Sequence, residues 1–361
     1  MLELEGVSLR VGAETHLADV SLALEPGSLN LLLGPTLSGK TSLLRVMAGL
    51  DRPTSGRVLA DGRDVTGLSV RRRDVAMVYQ QFINYPSLTV RDNIASPLRV
   101  ARRPRAEIEA AVARAAGLLK LEPYLDRRPG ELSGGQQQRT ALARALVKGA
   151  RLVLLDEPLA NLDYKLREEL REELPRVFAG SGAVLVYATT EPTEALLLGG
   201  HTATLHEGRV TQFGPTPEVY RAPRDLRTAR LFSDPPLNAL EVVLRGGAFE
   251  GGGARIPAPP HLSGLAEGRY TLAHRPHQLS LRPRGPAPVA LRAEVGVTEI
   301  TGSESFVHLR CAGEDWTLLE PGVHPLPPGA GVTVHLDASR LLAFDEAGRA
   351  AGHAAPARVA A

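Results

Sequence analysis

Eight consecutive residues constrain this chain more than any others: Gly34-Pro35-Thr36-Leu37-Ser38-Gly39-Lys40-Thr41 matches G-x-x-x-x-G-K-[ST]. Leu29 to Leu33, just before it, is a short apolar run suited to a buried strand. The stretch from Ser42 to Leu50, just after it, places Leu43, Leu44, Met47 and Ala48 at helical spacing. Strand, glycine-rich loop and helix in that order make a cradle for a polyphosphate. The glycines let the backbone wrap the ligand with its N–H groups, and the helix N-terminus adds positive potential. Lys40 reaches the β- and γ-phosphates, and the Thr41 hydroxyl suits Mg²⁺.

The 361 residues suffice for two or three domains, each able to bury its own core. The single cysteine, Cys311, excludes an internal disulfide framework and reads as an inert core thiol. Forty-two basic against 40 acidic residues leave a formal charge of +2, so the whole chain offers no electrostatic case for nucleic acid or an anionic membrane. Glu3 and Glu5 near the start argue against a secretory signal, and no run approaches the length of a bilayer span. The expectation is a soluble chain whose membrane contact goes through a partner.

In chain order, residues 2–33 read as short strands, with Val20, Leu22 and Leu24 alternating with Ser21, Ala23 and Glu25. Val75 to Gln80 is an apolar strand that ends on an amide able to coordinate Mg²⁺ or position water. From Arg91 to Leu125 the periodicity turns helical, which marks a helical insert. Leu132-Ser133-Gly134-Gly135-Gln136 then opens a second helix with an anion-binding N-terminus. Leu152 to Leu155 is a buried strand ending in Asp156-Glu157, at the sheet edge where α/β folds place their ligands. There Asp156 could hold Mg²⁺, and Glu157 could polarise a water attacking the γ-phosphate. Asn161-Leu162-Asp163 caps a further helix, and Ala183 to Ala188 is a strand followed by Thr189-Thr190-Glu191.

Prolines multiply between Pro215 and Asn238, and the first domain is expected to end near residue 235. Beyond Glu241 lysine disappears, and 11 Arg face 12 Asp plus Glu. Short alternating runs, among them Phe306 to Leu309 and Val332 to Leu336, suggest a small β-barrel of OB type. With neither charge excess nor many rings it reads as a regulatory or interaction module, not an oligonucleotide binder.

Taken together, the phosphate loop, Gln80, Leu132 to Gln136, Leu152 to Glu157 and Asn161 to Asp163 resemble, in that order, the ATP-binding subunits of ABC transporters. Arg275-Pro276, Glu299 to Glu304 and Phe344 to Gly348 are similar to the C-terminal OB/TOBE barrel of that family's maltose-type importers, and Gly214 to Tyr220 to their domain junction. The resemblance implies an α/β P-loop NTPase domain over residues 1–235, with a helical subdomain at about 88–140, and an all-β OB-type barrel over 236–361. It implies ATP hydrolysis and Mg²⁺. Gly34, Pro35, Thr36, Ser38, Gly39, Lys40, Thr41 and Ser42 would hold the phosphates. Thr41, Gln80 and Asp156 would hold the metal, and Glu157 would be the base. Ser133, Gly135 and Gln136 would contact ATP on an opposing subunit, with Asp163 coupling the two sites.

The partners implied are membrane permease subunits, which would meet the segment from Phe82 to Val90, a second ATPase subunit and, indirectly, a periplasmic solute-binding protein. The place implied is the cytoplasmic side of a bacterial inner membrane. The solute implied is a sugar, polyol, glycerol or glycerol phosphate, and nucleic acid is not among the partners. The competing reading, an ABC ATPase acting on nucleic acid or ribosomes, would call for a coiled coil, a second ATPase domain or a basic patch. Two positions depart from the family pattern. Val11 stands before Gly12 where many relatives stack an aromatic ring on adenine, and Thr190 stands where the family usually has its switch histidine. The second departure predicts a poorly hydrolysing site and pairing with a different ATPase subunit that keeps the histidine.

Overall fold

A computed structural model describes residues 1–160, 162–179 and 182–352. Asn161, read as part of a capping turn, and residues 353–361 of the expected second domain lie outside the described residues. The chain divides into two compact units, Met1–Thr216 and Pro217 onward.

The first unit begins with β1 (Leu2–Val11), β2 (Glu14–Leu24), β3 (Leu29–Leu33), α1 (Lys40–Ala48), β4 (Ser55–Ala60), β5 (Arg63–Asp64) and β6 (Val75–Val78). It continues through α2 (Val90–Val100), α3 (Arg105–Leu118), α4 (Gly134–Lys148), β7 (Leu152–Asp156) and α5 (Tyr164–Ala179). It closes with β8 (Val184–Thr189), α6 (Pro192–Leu198), β9 (His201–His206) and β10 (Arg209–Pro215). The apolar positions alternating along β2 are buried and those between them exposed, so β2 lays one face on the core of an antiparallel sheet ordered β2-β1-β4-β5. The mostly apolar runs of β3, β7 and β8 instead lie inside a six-stranded sheet ordered β10-β9-β3-β8-β7-β6, buried on both faces. In that sheet β9, β3, β8, β7 and β6 run parallel and β10 is antiparallel at the edge. Helix α1 lies in the core shared by the two sheets, where Leu43, Leu44 and Met47 are fully buried.

The strand expected over Val75 to Gln80 is shorter than its apolar pattern. Only Val75 to Val78 pairs with β7, which leaves Tyr79 and Gln80 in the loop beyond the sheet edge.

The second unit carries α7 (Thr216–Arg221), whose first residue closes the preceding unit, and α8 (Leu226–Leu231). The strands that follow are β11 (Asn238–Arg245), β12 (Ala248–Gly251), β13 (Ala254–Pro257), β14 (Gly268–His274), β15 (Leu279–Ser280) and β16 (Pro288–Ile300). After them come β17 (Glu304–Cys311), β18 (Glu314–Pro321), β19 (Gly331–Asp337), β20 (Leu342–Phe344) and β21 (Ala350–Gly352). They form two antiparallel sheets, ordered β13-β12-β11-β14-β20-β21 and β15-β19-β16-β17-β18, around one apolar core that includes Phe249, Leu272, Leu309, Trp316 and Leu336. The expected all-β, barrel-like unit is therefore present. Cys311 is buried in that core, and burial pushes its thiol up to about 11, which suits an inert side chain.

The proline-rich stretch read as the end of the first domain sits inside the second unit. The Arg275 guanidinium stacks 3.7 Å over the Tyr220 ring and donates to the Tyr220 carbonyl at 2.6 Å, while the Leu226 and Ala350 amides bond to Gly348 and Arg224. These contacts tie residues 217–232 to the later strands of the same unit, which begins at Pro217.

Replacing Leu43 by Ala should destabilise the first unit by about 2–5 kcal/mol, because a fully buried side chain between two sheets leaves a cavity that the sheets cannot close over. Chemical denaturation of the variant and the parent should show that loss as an earlier midpoint of the first unit's transition.

Candidate active site

Four neighbouring parallel strands, in the order β3, β8, β7 and β6, end at the same sheet edge. The phosphate loop follows β3 and Thr190 follows β8. Asp156 and Glu157 close β7, and Gln80 lies two residues past β6. Residues far apart in sequence therefore meet because their strands are in register, Leu33 opposite Thr189 and Asp156 opposite Ala188. The Gly34 amide donates to the Thr189 carbonyl at 3.4 Å and the Glu157 amide to the Ala188 carbonyl at 3.0 Å, which ties both loops to β8.

The phosphate loop is packed too tightly for side chains at its glycines. A Cβ at Gly34 would lie 2.5 Å from Ser38 Oγ and 2.6 Å from the Leu205 carbonyl oxygen. At Gly39, φ is +102° and a Cβ would meet the His16 carbonyl at 2.8 Å. Helix α1 starts at Lys40 with Gly39 as its cap, which supplies no side-chain acceptor, so the first-turn N–H groups keep their capacity for an anion. Pro35 and Thr36 are exposed at the loop's outer turn, and the buried Ser38 Oγ has no partner among the described residues. Ser42 Oγ lies 3.2 Å from His16 Nδ1.

The buried Lys40 ammonium donates to the Gly34 and Pro35 carbonyls at 2.8 and 3.0 Å and stands 3.9 Å from Glu157 Oε1. Thr41 Oγ1 donates to Asp156 Oδ2 at 2.8 Å. Burial pulls the Lys40 pKa below its ordinary value, with Glu157 and Asp156 opposing the shift. Burial pushes the Asp156 carboxyl up, with Thr41 and Lys40 opposing it. Both shifts penalise the charged form, the condition of groups whose stronger partners are a polyanion and a cation.

Glu157 is one-fifth exposed, sits at φ +47° directly after β7 and accepts from Gln80 Nε2 at 3.2 Å. Its carboxylate thus faces both the Lys40 ammonium and the Gln80 amide. The donor set Thr41 hydroxyl, Asp156 carboxylate and Gln80 amide oxygen is made of hard oxygens and fits Mg²⁺, which takes one or two protein carboxylates and fills its shell with phosphate oxygens and water. Among the described residues no group of three His, Cys, Asp or Glu forms a metal cage.

The structure does not bring every expected residue to this edge. Ser133 caps α4 in a capping box: its Oγ accepts from the Gln136 amide at 3.3 Å, and Gln136 Oε1 accepts from the Ser133 amide at 2.8 Å. Ser133 is exposed and Gly135 half-buried, and the first turn of α4 carries no acidic residue. Asp163 accepts from the Leu166 amide at 3.0 Å, so its carboxylate holds the first turn of α5. Thr190 is exposed and makes no side-chain hydrogen bond among the described residues. Val11, at the tip of β1, is about half exposed.

Two contributors escaped the sequence reading. Gln138, buried on α4, donates to the Pro158 carbonyl at 2.6 Å and more weakly to that of Glu157 at 3.5 Å, which fastens the catalytic turn to the helical subdomain. Its place in the run Gln136-Gln137-Gln138 hid which amide points inward. The buried Glu194 accepts from Thr189 Oγ1 at 2.7 Å and from the Tyr187 hydroxyl at 3.0 Å, so it braces the end of β8. Burial raises its pKa, with Glu191 adding to the shift and the two hydroxyl donors opposing it. The only sequence signal was a carboxylate on the short helix after Thr190.

The sequence pattern of the ABC transporter family matches residues 17–160, and that of the TOBE domain residues 272–344. The sn-glycerol-3-phosphate import ATP-binding protein UgpC of Rhizobium meliloti (strain 1021) is 38% identical over 333 residues, covering 91% of this chain and 93% of that protein. The xylose/arabinose import ATP-binding protein XacK of Haloferax volcanii is 37% identical, covering 91% of this chain and 87% of that one. A dimeric ATP-binding cassette solved in a post-hydrolysis state with ADP and Pi superposes with a TM-score of 0.55. It is 29% identical and covers 60% of this chain and 99% of its own.

Gly34→Ala should weaken ATP binding by at least about tenfold with the fold retained, since the added methyl must displace Ser38 or the Leu205 carbonyl and so reshape the loop. Nucleotide titration, with circular dichroism as the control for folding, reads the effect.

Proposed function

Because this chain belongs to the ATP-binding subunits of ABC transporters, we propose that it is one of two ATPase subunits driving uptake of a sugar, polyol, glycerol or glycerol phosphate through membrane permease subunits. The observation that carries the catalytic part is the convergence of Lys40, Thr41, Asp156 and Glu157 at one edge of the parallel sheet. The named relatives are import ATP-binding proteins, which favours transport over action on nucleic acid. Their solutes differ at nearly equal identity, so the choice among solutes stays with the permease and its binding protein.

Lys40 would exchange its two carbonyl partners and Glu157 for the β- and γ-phosphates, which frees the Glu157 carboxylate to accept a proton from the attacking water. Thr41, Asp156 and Gln80 would hold Mg²⁺, which would supply positive charge against the charge developing on the phosphates. In the capping box of α4, Ser133 and Gln136 now satisfy each other. Facing the ATP of a second subunit, the same side chains and the helix N-terminus would turn outward to its γ-phosphate.

Beside Gln80, Ile83 and Tyr85 are each about half exposed, and Tyr85 lies under the Arg144 guanidinium at 4.8 Å. This apolar surface suits a permease helix. Among the described residues no helix is long and apolar enough to cross a membrane, consistent with a peripheral subunit held at the cytoplasmic face by that contact.

Pairing follows from Thr190. Its short, exposed side chain lacks both the reach and the charge of an imidazole beside a γ-phosphate, so this site hydrolyses slowly. The signature at Leu132 to Gln136 is intact and completes the site of a different ATPase subunit.

Two measurements test this reading. Glu157→Gln should cut ATPase turnover of the assembled complex by about 100-fold or more while ATP binding persists, because the amide cannot take the proton. Turnover unchanged in that variant would show that this chain's site supplies none of it. Thr190→His should raise ATPase activity of the chain purified alone. Strong turnover by the unmodified homodimer, indifferent to that substitution, would sink the heterodimer.

A further inference from the structure

The second unit contains a cavity of about 690 Å³ lined by Arg221, Arg275, His277, Arg284, Arg340 and Asp337. We propose that it is a binding site for a phosphate-type oxyanion, either inorganic phosphate or the phosphate group of a small monoester. This goes beyond the transport reading and does not rest on it.

The charges do not balance locally. Arg275 is 4% exposed and has no carboxylate partner among the described residues. One nitrogen, Nη2, donates to the Tyr220 carbonyl at 2.6 Å, and the guanidinium stacks on that ring, but the buried Nε reaches no acceptor among the described residues. An uncompensated cation at that depth is costly unless an anion comes to it. Arg221, His277 and Arg340, all exposed on the same cavity, are also without a carboxylate partner among the described residues. Arg284 is paired with Glu320 at 2.5 Å. The one carboxylate lining the cavity, Asp337, spends Oδ1 on the Ser339 amide and hydroxyl at 3.1 and 2.6 Å. Burial pulls the Arg275 pKa below its ordinary value; Tyr220 opposes the shift and the neighbouring Arg340 adds to it.

The chemistry selects the ligand. Guanidinium forks match tetrahedral oxyanions with paired hydrogen bonds, which carboxylates with only two oxygens exploit less fully when several forks converge. The volume exceeds what a bare phosphate fills and falls within the size of small-molecule sites, roughly 300–1,000 Å³, so a monoester has room for its organic part.

The test uses the full chain with the nucleotide site saturated by a non-hydrolysable ATP analogue, so that the γ-phosphate position of the phosphate loop is filled and does not compete. Inorganic phosphate, glycerol phosphate, sulfate and citrate are titrated in chloride buffer by calorimetry. Saturable one-to-one binding of phosphate or glycerol phosphate is expected, weakened about tenfold or more in Arg340→Gln and in Arg221→Gln. Both arginines are exposed, so these variants stay informative should Arg275→Gln fail to fold. Equal affinity for phosphate and glycerol phosphate would make the oxyanion the whole ligand, and tighter binding of the ester would add the rest of the cavity. Absence of binding, affinity unchanged in the variants, or preference for citrate would overturn the proposal.

Discussion

Parallel pairing of β3, β8, β7 and β6 is the constraint on which the catalytic site depends, because four loops that share no local sequence can meet only where their strands end together. The pairing is itself a product of burial. Each of these strands is an apolar run too short to be a stable helix and too continuous to face water on one side, so each is driven inside the sheet. The edge is left with the polar residues that end each run: Thr189, Asp156 and, past a shorter β6, Gln80. The hydrogen bond from Thr41 to Asp156 closes this arrangement across 115 residues of sequence.

Electrostatics at that edge run against the protein until a ligand arrives. Lys40 and Asp156 are both shifted toward their neutral forms by burial, and the partners that Lys40 has are carbonyls and a carboxylate 3.9 Å away. A polyphosphate and a divalent cation would replace these weak internal contacts with stronger ones, which is how a preorganised site gains affinity without reorganising its backbone. The capping box of Ser133 and Gln136 has the same logic, since groups that satisfy one another internally can be redirected once a better partner is presented.

The second unit shows how little an overall charge balance says about a surface. Eleven Arg and 12 acidic residues cancel from Glu241 onward, yet four basic side chains of that stretch, joined by Arg221, gather on one cavity lined by a single carboxylate. Antiparallel pairing brings that about: β15 joins β19, which places Ser280 and its neighbours beside the segment that ends at Asp337 and leads on to Arg340.

Local chemistry was enough to read much of this protein from its residues. The phosphate loop, the buried strand ending in Asp156-Glu157, the helical insert and the alternating strands of the second unit each depend on spacing within a few residues, and spacing is what a sequence displays. Tertiary structure decided the rest, because it rests on contacts between distant residues. Pairing with β7 ended β6 at Val78. The stacking of Arg275 on Tyr220 ties residues 217–232 to the second unit, which begins at Pro217. Gln138 could be told from Gln136 and Gln137 only once α4 had turned it toward the Pro158 carbonyl. The basic cavity is invisible along the chain, since its charges lie on α7, on the segments after β14 and β15, and beyond β19, and only folding brings them together.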